Sequence, residues 1–280
     1  METIIKTKSE TLSYFDAIIL GLVEGITEYL PVSSTGHLII ANRLFYPTSD
    51  LEFHNAIDAY GIVIQIGAIL AVFLLYHKRI LEVIYGFFGN NKIGFRLGVN
   101  LLVAFMPAAL LGLLFHDWIE NLLFDPVPIG VALILGALLM LYASRWQKTS
   151  RPIALPAMNV KQALEIGLWQ CLALFPGTSR SMVTLVGGYR CGLKPSEAAE
   201  FSFLLGFLTL SAASCYTLLS KKDQIFSHLE LSPMLIGVAV ATLSATFVIK
   251  TLIGFLNRFG LKPFAYYRIV LGIIIFIVFL

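Results

Sequence analysis

Charge is scarce in this sequence. Only 13% of its 280 residues are Asp, Glu, Lys or Arg, against roughly 25% in a soluble globular domain. With 58% of residues hydrophobic, a water-soluble globule is excluded, and the chain reads as an integral membrane protein. Basic residues are not massed either: the net charge is +3, and Lys and Arg lie between apolar stretches rather than in a block. That distribution speaks against nucleic acid as a partner. Cysteine is rare and scattered. Cys171, Cys191 and Cys215 lack the spacing of a metal knuckle or a disulfide framework, so buried small residues are expected there. Also missing is a small-residue cleavage site after a clean apolar core. Lys6 and Lys8 are followed by a stretch holding Asp16, Glu24 and Glu28, so no removed signal peptide is expected.

What the chain does have is repeated apolar stretches near the ~20 residues needed to cross a bilayer. Six are expected to span: roughly 57–76, 95–116, 127–143, 197–219, 233–256 and 264–280. Two further apolar segments are interrupted. The stretch 13–45 is broken at Pro31-Val32-Ser33-Ser34-Thr35-Gly36-His37, and 160–190 at Pro176-Gly177-Thr178-Ser179-Arg180-Ser181. Each arm is too short to cross alone, and a polar break at membrane depth must be buried in protein or line a cavity. Re-entrant helical hairpins are the expected solution, which makes the fold all-α: about six transmembrane helices plus two such hairpins in a single membrane domain over 1–280.

Lys78, Arg79, Lys92 and Arg96 fall in one connection, Arg145, Lys148, Arg151 and Lys161 in another, and Arg258 and Lys262 in a third, whereas 117–126 has only acids. The first three connections are assigned to the cytoplasm. The first hairpin then opens outward, the second inward, and both termini lie outside. Lys221 and Lys222 fall in an expected outer loop as exceptions, beside Asp223 and Glu230.

The halves echo each other. Gly21-Leu22-Val23-Glu24 before Pro31 and a Ser/Thr cluster is matched by Gly167-Leu168-Trp169-Gln170 before Pro176 and a Ser/Thr cluster. One hairpin and three spans per half, an odd number of spans, inverts the second half on the first. The repeats run approximately over 13–125 and 127–280, with a site expected where the hairpin tips meet.

Chemistry-bearing residues gather on those tips. Glu24 and Glu28, four apart, share a helix face; carboxylates at this depth suit Mg²⁺ or Ca²⁺, unless they are interfacial or protonated. Ser33 and Ser34 follow the break, where a helix N-terminus makes an anion site and Ser33 reads first as the plain cap. His37, one turn on, suits acid/base or nucleophilic work, or a simple helix-to-helix hydrogen bond. Arg180 needs anionic company to enter a membrane. That company is a phosphate, with Ser179, Ser181 and Thr184 supplying hydroxyls, or a salt bridge to Glu24 or Glu28.

The run from Glu24 through Gly25-Ile26-Thr27-Glu28-Tyr29-Leu30-Pro31-Val32-Ser33-Ser34-Thr35-Gly36 to His37, with Pro176-Gly177-Thr178-Ser179-Arg180-Ser181 and Glu200-Phe201-Ser202-Phe203-Leu204, closely resembles the bacterial undecaprenyl-pyrophosphate phosphatase family, also called bacitracin-resistance proteins. The likeness runs along nearly the whole chain. It implies hydrolysis of undecaprenyl pyrophosphate to undecaprenyl phosphate and inorganic phosphate in the bacterial inner membrane, recycling the lipid carrier of cell-wall synthesis. It also implies divalent-metal dependence, a site opening to the periplasm, an inverted-repeat fold with re-entrant helices, and frequent homodimers. By resemblance, Glu24 and Glu28 are the acidic pair, Ser34 and His37 the Ser and His, and Arg180 the phosphate-binding Arg. Ser34 is preferred as nucleophile, with Glu28 or His37 as base.

Two positions depart from the family pattern: Gly61, where an acidic residue is usual, and Met182, where Gly is usual. The competing class is a transporter or flippase for a phosphate-bearing polyprenyl lipid, which an inverted repeat with a midplane anion site also fits. An acid phosphatase of the other membrane lipid-phosphatase superfamily fails, because Arg180 is not followed by the spaced His and Asp it uses.

Overall fold

The computed structural model describes residues 12–46, 51–115, 126–146 and 152–279. Among them the chain forms ten α-helices: α1 (Tyr14–Thr27), α2 (Ser34–Phe45), α3 (Leu51–Phe87), α4 (Lys92–Leu114), α5 (Pro126–Ala143), α6 (Val160–Gln170), α7 (Arg180–Arg190), α8 (Pro195–His228), α9 (Leu231–Phe259) and α10 (Lys262–Phe279). Six of them, α3, α4, α5, α8, α9 and α10, are long and apolar enough to cross a membrane, so the chain is a multi-pass helical membrane protein.

The six expected spans fall on these six helices, with two differences. Helix α3 continues past 76 to Phe87, bending at Tyr76 (φ −113°, ψ 16°). Helix α8 runs through Lys221 and Lys222 to His228, where an outer loop was expected. Charge ends the apolar run there, but no Gly or Pro occurs between Gly206 and Pro233, and Lys and Gln sustain a helix well. The expected outer connection 117–126 lies almost wholly outside the described residues. Of the cysteines, Cys191 is buried as expected, Cys171 is half-buried and Cys215 is exposed.

The interrupted segments form two pairs of short helices, α1–α2 and α6–α7, of 14, 12, 11 and 11 residues. Their starts and stops are local. Ser13 Oγ accepts from Asp16 N–H at 3.1 Å to begin α1. A reciprocal Asn159/Gln162 capping box, at 2.9 and 3.0 Å, begins α6. Pro31 and Pro176-Gly177 end the first arm of each pair. Both returning helices start from a serine with positive φ, Ser33 at 75° and Ser179 at 73°, a conformation costing about 1–3 kcal/mol for a residue with a Cβ. Each of these serines accepts from the N–H three residues on, Gly36 and Met182 respectively, at 3.3 Å.

The pairs pack crosswise. Helix α1 lies on α9 and α6 lies on α4, while α3 meets α8 and α5 meets α10. Small residues permit the first two approaches. A Cβ on Gly21 would stand 2.5 Å from the Gly237 carbonyl oxygen, and one on Gly167 would stand 2.6 Å from that of Ala104.

Arg268 of α10 joins the two breaks. It is fully buried, and all five of its N–H donors are used on carbonyls. Nε donates to Leu133 (3.2 Å), Nη1 to Pro31 (3.4 Å) and Thr178 (3.1 Å), and Nη2 to Ala132 (3.1 Å) and Gly177 (3.0 Å). A Cβ at Gly136 would overlap this guanidinium. Replacing Arg268 by Leu strands those carbonyls and is expected to cost on the order of 3 kcal/mol or more. Thermal melts in detergent should rank parent above Arg268→Lys above Arg268→Leu, and a Lys variant melting with the parent would show that charge alone, not the five-donor fork, holds the breaks.

Candidate functional site

Sequence and fold bring Glu28, Ser34 and Arg180 into one chain of contacts. Glu28 is the residue that closes α1, Ser34 is the first residue of α2 and Arg180 the first of α7. Ser34 Oγ donates to Glu28 Oε2 at 2.6 Å, and Arg180 Nη2 donates to Glu28 Oε1 at 2.7 Å. Two residues 152 positions apart are thus paired across the two breaks, and both are nearly buried. A buried pair of this kind is weak evidence of stability but fixes position.

Arg180 is held from several sides. Nη1 donates to the Ser202 carbonyl of α8 at 3.0 Å, and the guanidinium carbon lies 5.5 Å from the centre of the Tyr29 ring. Tyr29 is itself fixed, donating its hydroxyl to the Ala68 carbonyl at 2.9 Å and packing edge-on against Phe203. Arg180 Nε is buried with no partner, a donor left for an incoming anion.

Ser179 and Ser181 share a 3.0 Å hydrogen bond, and Ser181 also donates to the Leu30 carbonyl at 2.8 Å, tying the second break to the first. Thr184 lies deeper, with its hydroxyl against Ser202 Oγ at 2.6 Å and the Arg180 carbonyl at 2.9 Å. It braces α7 on α8. Ser33 caps α2, as its position after the break suggested. The helix geometry leaves the N–H groups of Ser34, Thr35, Arg180 and Ser181 without intrahelical acceptors, two at each of two helix starts, which is the makeup of an anion site.

Glu24 is buried and its Oε1 has no partner. Gln170, its counterpart in the sequence echo, is also buried with Oε1 unpartnered. His37, on the same face of α2 as Ser34, has both ring nitrogens engaged, Nδ1 with the Ser33 carbonyl and Nε2 with the Tyr267 hydroxyl, each at 2.6 Å. Among the described residues no three His, Cys, Asp or Glu side chains converge as a complete metal cage. Mg²⁺, however, is commonly held by one or two carboxylates, with phosphate and water completing the shell. Glu24, with its orphaned buried oxygen, and Glu28 one turn away fit that pattern.

Of the departures from the family pattern, Gly61 sits where an added Cβ would meet only Leu38. Met182 is fully buried, with its N–H on the Ser179 cap. Residues that sequence reading passed over are Arg268, Tyr267, Ser202 and Gly206. Arg268 had a signal, a lone Arg in an otherwise apolar span, and Ser202 lay inside a family motif without a role of its own; Tyr267 and Gly206 had none.

The profile of the family described as Bacitracin resistance protein BacA matches residues 17–274. A protein named undecaprenyl-diphosphatase 3 from Acinetobacter baylyi is 42% identical over 269 residues, covering 95% of this chain and 98% of the relative. Undecaprenyl-diphosphatase 2 from Rhodospirillum rubrum is 44% identical over 259 residues, covering 92% of each. An undecaprenyl-diphosphatase from Flavobacterium psychrophilum is 42% identical over 270 residues, covering 95% of this chain and 96% of the relative. With its motifs on facing helix starts and its likeness running nearly end to end, the chain belongs to the bacitracin resistance protein family.

Proposed function

We propose that this chain hydrolyses undecaprenyl pyrophosphate to undecaprenyl phosphate and inorganic phosphate, recycling the lipid carrier of peptidoglycan synthesis and so conferring bacitracin resistance. The observation that carries the reading is the Ser34–Glu28–Arg180 chain at two helix starts. It places a hydroxyl, a carboxylate base and a phosphate-matching fork within one hydrogen-bonded unit.

The pyrophosphate enters at the two caps, where the Arg180 fork and the backbone N–H groups bind the oxygens of the terminal phosphoryl group. Binding draws Arg180 from Glu28 toward phosphate, which leaves the carboxylate free to take the Ser34 proton. Ser34 Oγ bonds to the terminal phosphorus as the bridging P–O bond breaks, and undecaprenyl phosphate departs. Water then attacks the phosphoserine, inorganic phosphate leaves, and Oγ recovers its proton from Glu28. A divalent cation on Glu24 and Glu28 would supply charge neutralisation at the phosphate oxygens. The phosphate-binding set is Arg180 with Ser179, Ser181, Thr184 and Ser33, of which Ser33 and Ser179 also cap the two helices.

Two features support a lipid substrate and the architecture that receives it. An apolar groove of about 510 Å³ runs between α5 and the second break; its lining includes Val131, Leu135, Leu139 and Phe175, and also Thr178 and Met182, which flank the Arg180 cap. The crosswise packing of α1 on α9 and α6 on α4, with matched positive-φ serines, supports inverted repeats over approximately 13–125 and 127–280 whose short helix pairs are re-entrant hairpins. The placement of Lys and Arg supports a site opening to the outer, periplasmic face; the bacterial inner membrane and a homodimer belong to the same reading by family resemblance.

Purified protein in detergent should release phosphate from a polyprenyl pyrophosphate with Mg²⁺ or Ca²⁺, and Arg180→Ala, Glu28→Gln and Ser34→Ala should each lose about a hundredfold or more. A well-folded parent that releases none under any metal would favour lipid transport, which needs a sealed membrane. Gly206 gives a subtler check, because a Cβ there would overlap the Arg180 guanidinium. Gly206→Ala should lower turnover about a hundredfold by displacing the fork, with melting close to the parent's; full activity would mean that Arg180 does not work from this position.

A further inference from the structure

His37 has one lone pair to offer, and something already sits on it. The Ser33 carbonyl can only accept, so Nδ1, 2.6 Å away, carries the proton. In the neutral ring Nε2 is then the acceptor, and the hydrogen bond it makes at 2.6 Å runs from the Tyr267 hydroxyl of α10. The two rings lie nearly parallel, 3° apart with centres at 5.6 Å. A ring pinned at both nitrogens, one of them by its own helix cap, is held in one tautomer and one orientation.

Tyr267 is therefore set against His37 by the same turn of α10 that sends Arg268 into the two breaks. The neighbouring Arg268 fork fixes that turn through the Pro31 and Thr178 carbonyls, two residues before Ser33 and one before Ser179. Tyr267 cannot shift along α2 without that fork moving too. Its ring is about half exposed, so the hydroxyl stands at the edge of the site rather than in the packed core.

We propose that Tyr267 is a positioning residue for His37: it fills the lone pair of Nε2, holds the imidazole rigid and neutral, and leaves the attack to Ser34. This rests on the phosphatase reading above. In this arrangement His37 is not a free nucleophile, because its lone pair is engaged, and it is not the base for Ser34, whose proton already points at Glu28. It serves as a fixed polar wall beside the phosphate cap, and Tyr267 sets where that wall stands.

Tyr267→Phe removes one hydroxyl and keeps the ring. With farnesyl pyrophosphate as probe, kcat is expected to fall about tenfold with KM within about twofold. Diethyl pyrocarbonate labelling of His37, mapped by mass spectrometry and normalised to the exposed His77, is expected to rise several-fold as the lone pair is freed. Tyr266→Phe, an exposed neighbour on the same turn, should change neither. A kcat that rises or stays level in Tyr267→Phe overturns the positioning role, since a working His37 base or nucleophile would gain from a freed lone pair. Labelling needs no turnover. With an active parent, His37 labelling unchanged in Tyr267→Phe overturns the Tyr267 contact alone, whereas a parent that releases no phosphate overturns the phosphatase reading and the role that rests on it.

Discussion

The fully buried guanidinium of Arg268 sits where the two broken helices meet, and the geometry of both breaks depends on it. Arg268 has no carboxylate partner among its hydrogen bonds; its five donors go to five carbonyls on three segments, the two breaks and α5. Burying a charge against dipoles alone is expensive unless every donor is satisfied. The carbonyls meet that condition for a reason set by the fold. Pro31, Gly177 and Thr178 lie in the breaks themselves, outside the α-helices on either side, so their carbonyls have no place in a helical ladder. Breaking two helices creates orphaned acceptors, and one guanidinium collects them. The same breaks create two helix starts with orphaned donors. On the proposed function, structural cation and phosphate site would be two consequences of one interruption, repeated in each half.

The pair Arg180–Glu28 works differently. Both groups are nearly out of solvent, and each is the other's nearest opposite charge, so without ligand they neutralise one another. In the proposed mechanism a phosphate competing for the fork would exchange one anion for another, so that Arg180 is never left unpaired. Glu28 would be released at that moment toward Ser34, with which it already shares a hydrogen bond. The orphaned Nε of Arg180 and the orphaned oxygen of Glu24 are unmet in this state, and a phosphate with its cation would meet both.

Legibility in the sequence followed the range of the interactions. The six spans were readable because each is a local run of apolar residues; four of the helices end within a few residues of the expected limits, while α3 and α8 run on to Phe87 and His228. The interrupted pairs were readable because Pro31 and Pro176-Gly177 act on their own neighbours, and Glu28, Ser34 and Arg180 stand out as polar groups in apolar surroundings. What could not be read was which groups meet. That Glu28 pairs with Arg180 rather than Glu24 does, that Thr184 turns its hydroxyl to Ser202, and that Tyr267 reaches His37 across 230 residues are all outcomes of tertiary packing. The continuation of α8 through Lys221 and Lys222 misled for the opposite reason: charge marks the end of a membrane run but does not stop a helix. Arg268 was open to inference on cost alone, since a lone Arg in a span needs partners, but nothing local pointed to backbone carbonyls as those partners.

The two positive-φ serines show why the caps took this form. Glycine would adopt φ near 75° without strain, but it has no hydroxyl to accept from the N–H three residues on, and it would leave that donor open at the head of the helix. Serine keeps the cap and bears the backbone strain. The strain persists because neighbours on both sides are fixed. Upstream of each serine, the carbonyls of Pro31 and Thr178 are held by Arg268; downstream, Ser34 is tied to Glu28, and Ser181 to Leu30. Because the chain is held on both sides of each serine, Ser33 and Ser179 have little freedom to relax. The outcome is a helix start whose free N–H groups hold their direction, so that a phosphate bound there, as proposed, would leave little reorganisation for the reaction itself.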